Sequence, residues 1–219
     1  MSTIADACAR AGRDPSDVTL VAVSKTIPAE RLVTAVAAGL TTLAENRVQE
    51  GEAKAPAVPG ATWHLIGPLQ SNKARRALAT FTVIESVDSV ELADRLDRLA
   101  ADVRPGERVP VLLQVNVDGD GAKAGFDPAA LADALPALLA FERLHLRGLM
   151  TVGRLVGRPE DARSTFVALR DLSARLRDVA PALGAELSMG MSGDYPIAIE
   201  EGATIVRVGR ALFGERQQT

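Results

Sequence analysis

The chain has 219 residues, a net charge of −3, 47% apolar and 24% charged residues; this length can bury about 70% of the unfolded surface, and the mild acidity argues against nucleic acid as main partner. A single cysteine, Cys8, excludes an internal disulfide and suits a reducing, cytoplasmic compartment. No apolar run approaches the ~18 residues of a membrane span, and the first thirteen residues hold no signal-peptide core.

Two patterns then alternate along the chain. Short, continuous, β-branched apolar runs read as strands buried on both faces, and longer stretches with apolar residues three and four apart read as amphipathic helices. Residues 1–11 are expected to form an extra helix, and 18–23 (VTLVAV) the first strand. A helix comes next, opened by Pro28 near its first turn and closed at Gly39. Residues 41–44 are a weak second strand before a helix over 46–54. Residues 62–66 form the third strand, with a helix over 71–79, and 82–84 the fourth. Asp88 is expected to cap a helix whose Leu92, Leu96 and Leu99 share one face.

Residues 109–117 (VPVLLQVNV) are the clearest strand, the fifth, with a helix near 128–139. The sixth strand is 144–152. The next helix, 159–179, places Phe166, Leu169, Leu172, Leu176 and Val179 on one stripe. Residues 186–189 are the seventh strand, with a short helix over 195–201, and 204–208 the eighth. Eight strands alternating with helices imply one parallel sheet, and in this length a closed (β/α)8 TIM barrel with residues 1–219 as a single domain. An open, doubly wound sheet is the alternative, but no gap in the alternation marks a strand-order switch.

Such barrels carry their sites at the C-terminal ends of the strands, so the residues just after each apolar run are the candidates for chemistry. Lys25 directly succeeds the first strand. A lysine partly desolvated at a barrel mouth is a nucleophilic amine that can condense with a carbonyl; a stem snorkelling from a strand end is the plainer reading. The loops after strands seven and eight, where barrels often bind phosphate, are Met189-Gly190-Met191-Ser192-Gly193-Asp194 and Arg207-Val208-Gly209-Arg210-Ala211. Their glycines let backbone N–H groups approach an anion, and Ser192 adds a hydroxyl. With Lys25, they favour a phosphorylated carbonyl ligand. Arg207, inside an apolar strand, requires a partner: the ring nitrogen of a pyridoxal phosphate is one candidate, a structural glutamate the other.

His64 either lines the mouth or is a satisfied core histidine, and His145 reads as structural. The basic stretch 70–76 reads as a solvated face, and Asp118-Gly119-Asp120-Gly121 as a loop, since it lacks the ligands of a calcium site. No Cys/His cluster has metal-ligand spacing.

The strings LVAVSK (20–25), HLIGPLQSNK (64–73), LSMGMS (187–192) and GATIVRVGRALFG (202–214) resemble the pyridoxal phosphate homeostasis proteins over nearly the whole chain. The resemblance implies the barrel of the alanine racemase N-terminal domain and pyridoxal 5'-phosphate (PLP) held as an aldimine on Lys25. It further implies Arg207 facing the pyridine nitrogen, and Ser192, Gly209 and Arg210 contacting the phosphate, the last two through backbone N–H. Asn46, His64 and Met150 match family strings around the pocket, and Lys73 and Lys123 match recurring lysines. The chain departs from the family in Arg47, where a tyrosine is usual, and in a short segment before the first strand. The implied role is a cytoplasmic PLP carrier, monomer or weak homodimer, that buffers the aldehyde or delivers it to PLP-dependent apoenzymes. It is expected to have no turnover, because a ring nitrogen facing arginine is a poor electron sink and the chain ends too soon after strand eight for a second domain. A small PLP-dependent amino-acid racemase is the alternative.

Overall fold

A computed structural model describes residues 3–154 and 156–214. Eight parallel strands close into a barrel in sequence order: β1 (Thr19–Val23), β2 (Thr42–Glu45), β3 (Thr62–Leu65), β4 (Val83–Val87), β5 (Val109–Gln114), β6 (Leu144–Met150), β7 (Glu186–Met191) and β8 (Ile205–Val208). Pairing of β1 with β8, from Thr19 opposite Ile205 to Ala22 opposite Val208, seals the ring. Between and around the strands run α1 (Ile4–Ala11), α2 (Ala29–Ala37), α3 (Val48–Lys54), α4 (Ala74–Thr80), α5 (Val90–Val103), α6 (Pro128–Leu139), α7 (Arg163–Val179), α8 (Tyr195–Glu200) and α9 (Arg210–Phe213).

Alternation along each strand divides the core in two. Leu43, Leu65, Ile84, Leu113, Leu149 and Val206 join the large cluster beneath the helices, with Phe81 and Phe166. Their neighbours Val21, Ala44, Val83, Leu112, Met150 and Ile205 form a separate cluster that fills the barrel, as side chains from successive strands do when a closed sheet has no lumen. Local chemistry sets the helix starts. Thr3 and Asp6 form a reciprocal capping box on α1. The Asp127 carboxylate accepts from the N–H groups of Ala129 and Ala130 ahead of Pro128.

Several boundaries differ from the sequence expectation. β4 is shifted to Val83–Val87 and takes in Glu85 and Ser86. The next helix is therefore capped by Ser89, whose Oγ accepts from Leu92 N–H at 3.2 Å, and not by Asp88. β5 stops at Gln114: beyond it the chain pairs with its own returning loop, Phe126 N–H donating to the Gln114 carbonyl at 2.8 Å. β6 stops at Met150, and the Thr151 hydroxyl donates to the Val115 carbonyl at 2.8 Å. Val179, the last residue of α7, is 81% exposed, so the buried stripe ends at Leu176. The expected helix over 1–11 is described from Ile4 onward, Met1 and Ser2 lying outside the described residues. Among the described residues no helix is long and apolar enough to cross a membrane.

Candidate functional site at the barrel mouth

The C-terminal strand ends gather the residues singled out from the sequence. Lys25 lies just past β1 and is partly buried. Asn46 lies just past β2, the strand that pairs with β1 through Val23 opposite Ala44. The Asn46 carbonyl passes so close to Gly67 that a Cβ there would sit 2.2 Å from its oxygen. Only glycine allows that approach. The Asn46 Oδ1 atom is buried without a hydrogen-bond partner, an uncommon state for a polar atom. Met150 is fully buried at the end of β6, opposite Gln114 and Ser188 in its neighbours.

The loops after β7 and β8 meet. Gly209 N–H donates to Ser192 Oγ at 3.1 Å. Gly190, at φ +90°, lets the β7 strand turn; a Cβ there would lie 2.5 Å from that of Ala198. Asp194 holds the loop by accepting from Met191 N–H at 2.6 Å, and burial pushes its carboxyl above the ordinary range. Arg210 is exposed and opens α9, where the first N–H groups have no intrahelical acceptor.

Inside the barrel, just below the mouth, lies a polar network that ties four strands together. Arg207 on β8 is 4% exposed. It donates to Ser188 Oγ on β7 at 2.5 Å and to the Thr151 carbonyl at 2.7 Å. Ser188 Oγ donates in turn to Glu85 Oε2 on β4. The other carboxylate oxygen, Oε1, lies 2.6 Å from His64 Nδ1 on β3. Arg207 and Glu85 stand 3.9 Å apart. Burial alone would raise the Glu85 carboxyl, but His64, Arg207 and the Ser188 hydroxyl outweigh it and hold the carboxyl below its ordinary range. Burial pulls the Arg207 guanidinium down, opposed by Glu85 and Asp194. Of the two partners open to Arg207 from the sequence, the glutamate is therefore present. Two of its five N–H donors are engaged in these hydrogen bonds.

Sequence patterning does not single out Glu85. Its signal is an acid inside the apolar run Val83-Ile84-Glu85-Ser86-Val87, beyond the expected end of the fourth strand. Lys73 lies in the turn before α4 and lines a cavity of about 370 Å³ with Asn46 and Arg47. Lys123 lies in the loop after β5, with Asp118 at 3.9 Å and Asp120 at 3.7 Å. His145 is exposed on β6, and the basic stretch pairs outward, Arg75 with Asp102 and Arg76 with Glu52. Among the described residues no group of His, Cys, Asp or Glu could hold a metal ion.

The residues suit a phosphorylated aldehyde bearing a pyridine ring. An amine, a hydroxyl–amide pair and a buried guanidinium occur at one barrel end, with a buried, unpartnered acceptor on Asn46 just past the neighbouring strand. A family model for the alanine racemase N-terminal domain matches residues 4–217. A protein named pyridoxal phosphate homeostasis protein from Synechocystis is 41% identical over 92% of this chain and 93% of its own. One of the same name from Escherichia coli K12 is 40% identical over 97% and 92%. PipY of Synechococcus elongatus PCC7942, solved with PLP bound, superposes with a TM-score of 0.84 at 45% identity, over 97% of this chain and 100% of that one. Alanine racemase of Clostridium difficile, at 17% identity and a TM-score of 0.72, shares the fold alone. The chain belongs to the pyridoxal phosphate homeostasis protein family, built on the alanine racemase N-terminal barrel.

Proposed function

We propose that this protein binds PLP at the barrel mouth as a Schiff base on Lys25 and serves PLP homeostasis by holding and delivering the cofactor, without turnover of its own. The observation that carries this reading is the junction of the β7 and β8 loops, Gly209 N–H on Ser192 Oγ, at the same barrel end as Lys25. The PLP-bound PipY structure and the names of the relatives support it. The bound group would supply an aldehyde for condensation and a ring that can delocalise electrons. Each chain residue then has a defined task. Lys25 offers the amine. Ser192 Oγ and the backbone N–H groups of Gly209 and Arg210 cradle the phosphate. Arg207 directs a free N–H at the ring nitrogen, while Asn46, His64 and Met150 line the pocket.

A guanidinium has no acceptor, so it can only donate to that nitrogen, which disfavours a proton there and weakens the ring as an electron sink. The chain's one tyrosine, Tyr195, opens α8 behind the Ser192 loop, a poor place for a proton-transfer group. Transfer to PLP-dependent apoenzymes is the role left to such a site.

The test is spectroscopic. Purified protein mixed with PLP should show a visible imine band, and borohydride should fix the adduct on the peptide containing Lys25. Lys25→Ala should abolish both. An adduct at the same site in that variant, or no adduct in the wild type, overturns the assignment.

A further inference from the structure

The turn that presents Lys25 is strained and held from behind. Ile27 N–H donates to the Ser24 carbonyl at 3.0 Å, so Lys25 and Thr26 are the central residues of a β-turn. Thr26 has φ +66°, the only positive φ of a non-glycine among the described residues. That combination is a type II turn, whose third position favours glycine or asparagine. A β-branched threonine is a poor occupant, because its Cβ substituents crowd the backbone in the left-handed region. Such a conformation persists only where the surroundings over-determine it, and it tends to mark functional sites.

The surroundings here are specific. Ser24 is fully buried. Its N–H donates to the Ala44 carbonyl at 2.9 Å, and its Oγ donates to Glu45 Oε1 at 2.7 Å. Its carbonyl, already taken by Ile27, also accepts from Lys54 Nζ at 2.8 Å. Lys54 Nζ lies 2.7 Å from the same Glu45 oxygen, so one ammonium joins the turn to the carboxylate. The Glu45 side chain is fully buried and that of Lys54 only 15% exposed, with Glu50 the next acid at 4.0 Å. Burying an ion pair is costly and seldom stabilises a fold compared with apolar packing. Its position supplies another reason for it: it grips the residue immediately before Lys25.

We propose that Lys54, through Glu45 and the Ser24 carbonyl, is a positioning residue that holds the Lys25 turn in its strained form and so aims the amine at the aldehyde. This rests on the reading of Lys25 as the aldehyde-binding lysine. Lys54 touches no reacting atom in this account. It acts on the backbone that carries the amine.

The experiment compares two ligands on Lys54→Met, Thr26→Gly, their double variant and the wild type. PLP carries the aldehyde; 4-deoxypyridoxine phosphate keeps ring and phosphate but has none. Lys54→Met should weaken PLP binding by about tenfold or more, the scale of one lost hydrogen bond to a charged group. It should also slow growth of the visible band, while affinity for the deoxy analogue stays within about twofold. Thr26→Gly added to Lys54→Met should restore PLP affinity, because glycine adopts the turn without help. If Lys54→Met does not fold, Glu45→Gln, nearly isosteric, serves as the weakened anchor in the same comparison. Equal losses for both ligands, unchanged PLP affinity, or failure of Thr26→Gly to rescue would each overturn the proposal. A wild type that binds the deoxy analogue but forms no borohydride-fixable adduct would instead locate the failure in the Lys25 assignment.

Discussion

Replacing Glu85 with glutamine tests the buried network directly. The carboxylate serves His64 at 2.6 Å and Ser188, and it is the counter-charge to Arg207 at 3.9 Å. All are buried, so water cannot take over the lost interactions. Removing one partner of a buried ion pair costs about 3–5 kcal/mol, because the remaining charge is left uncompensated. Glutamine can still accept from His64, and one neutral hydrogen bond returns about 1 kcal/mol. The expected loss is therefore about 2–4 kcal/mol; at about 2–4 °C per kcal/mol for a chain of this size, Tm should fall by roughly 4–16 °C. Thermal and urea unfolding of PLP-free protein at neutral pH measures it. The pH dependence adds a second reading. Because the folded-state carboxyl is held below its ordinary range, its contribution is complete above the unfolded pKa of about 4.3 and is lost as pH falls through the lowered folded value. The gap between wild type and Glu85→Gln should be flat near neutrality and narrow in acid. A loss under about 1 kcal/mol, ordinary for any substitution, or a gap that widens in acid, would refute the network as described. Combining Glu85→Leu with Arg207→Met should cost less than the sum of the two, since each removes the other's reason for compensation.

Ser192→Ala should weaken PLP binding by about 1.5–3 kcal/mol, the worth of a hydrogen bond to a charged group, and leave pyridoxal, which has no phosphate, unaffected in titration. Gly67→Ala should destabilise the fold and disturb the pocket together, because the new Cβ meets the Asn46 carbonyl at 2.2 Å and backbone cannot yield as a flexible side chain can; denaturation midpoints and PLP titration check both. Holoprotein incubated with L- and D-amino acids should show no racemisation, transamination or decarboxylation near the median enzyme turnover of about 10 per second. Chromatography of enantiomers, oxo-acids and amines decides this, and turnover that vanishes in Lys25→Ala would promote the racemase alternative.

The alternation of β-branched runs with amphipathic stretches was enough to read a closed barrel, because buried parallel strands and their covering helices differ in local period. The placement of Lys25, Ser192 and Gly209 at the barrel mouth was legible for a related reason: each lies just past an apolar run that forms a strand, and strand ends are where such barrels place their chemistry. Boundaries were less legible. The fourth strand was expected to stop at Ile84, yet the next two residues, both polar, are buried in β4. Polar residues can continue a strand when partners from other strands satisfy them, and no local pattern reports that. Glu85 and Ser188 are 103 positions apart, and Lys54 reaches Ser24 from the far end of α3. Barrel closure brings the inward faces of β3, β4, β7 and β8 within hydrogen-bonding range, and it alone decides that the buried guanidinium of Arg207 meets a carboxylate. Sequence determined which residues would need partners, because an unpaired buried charge is costly wherever it falls; the tertiary structure decided which partners they found.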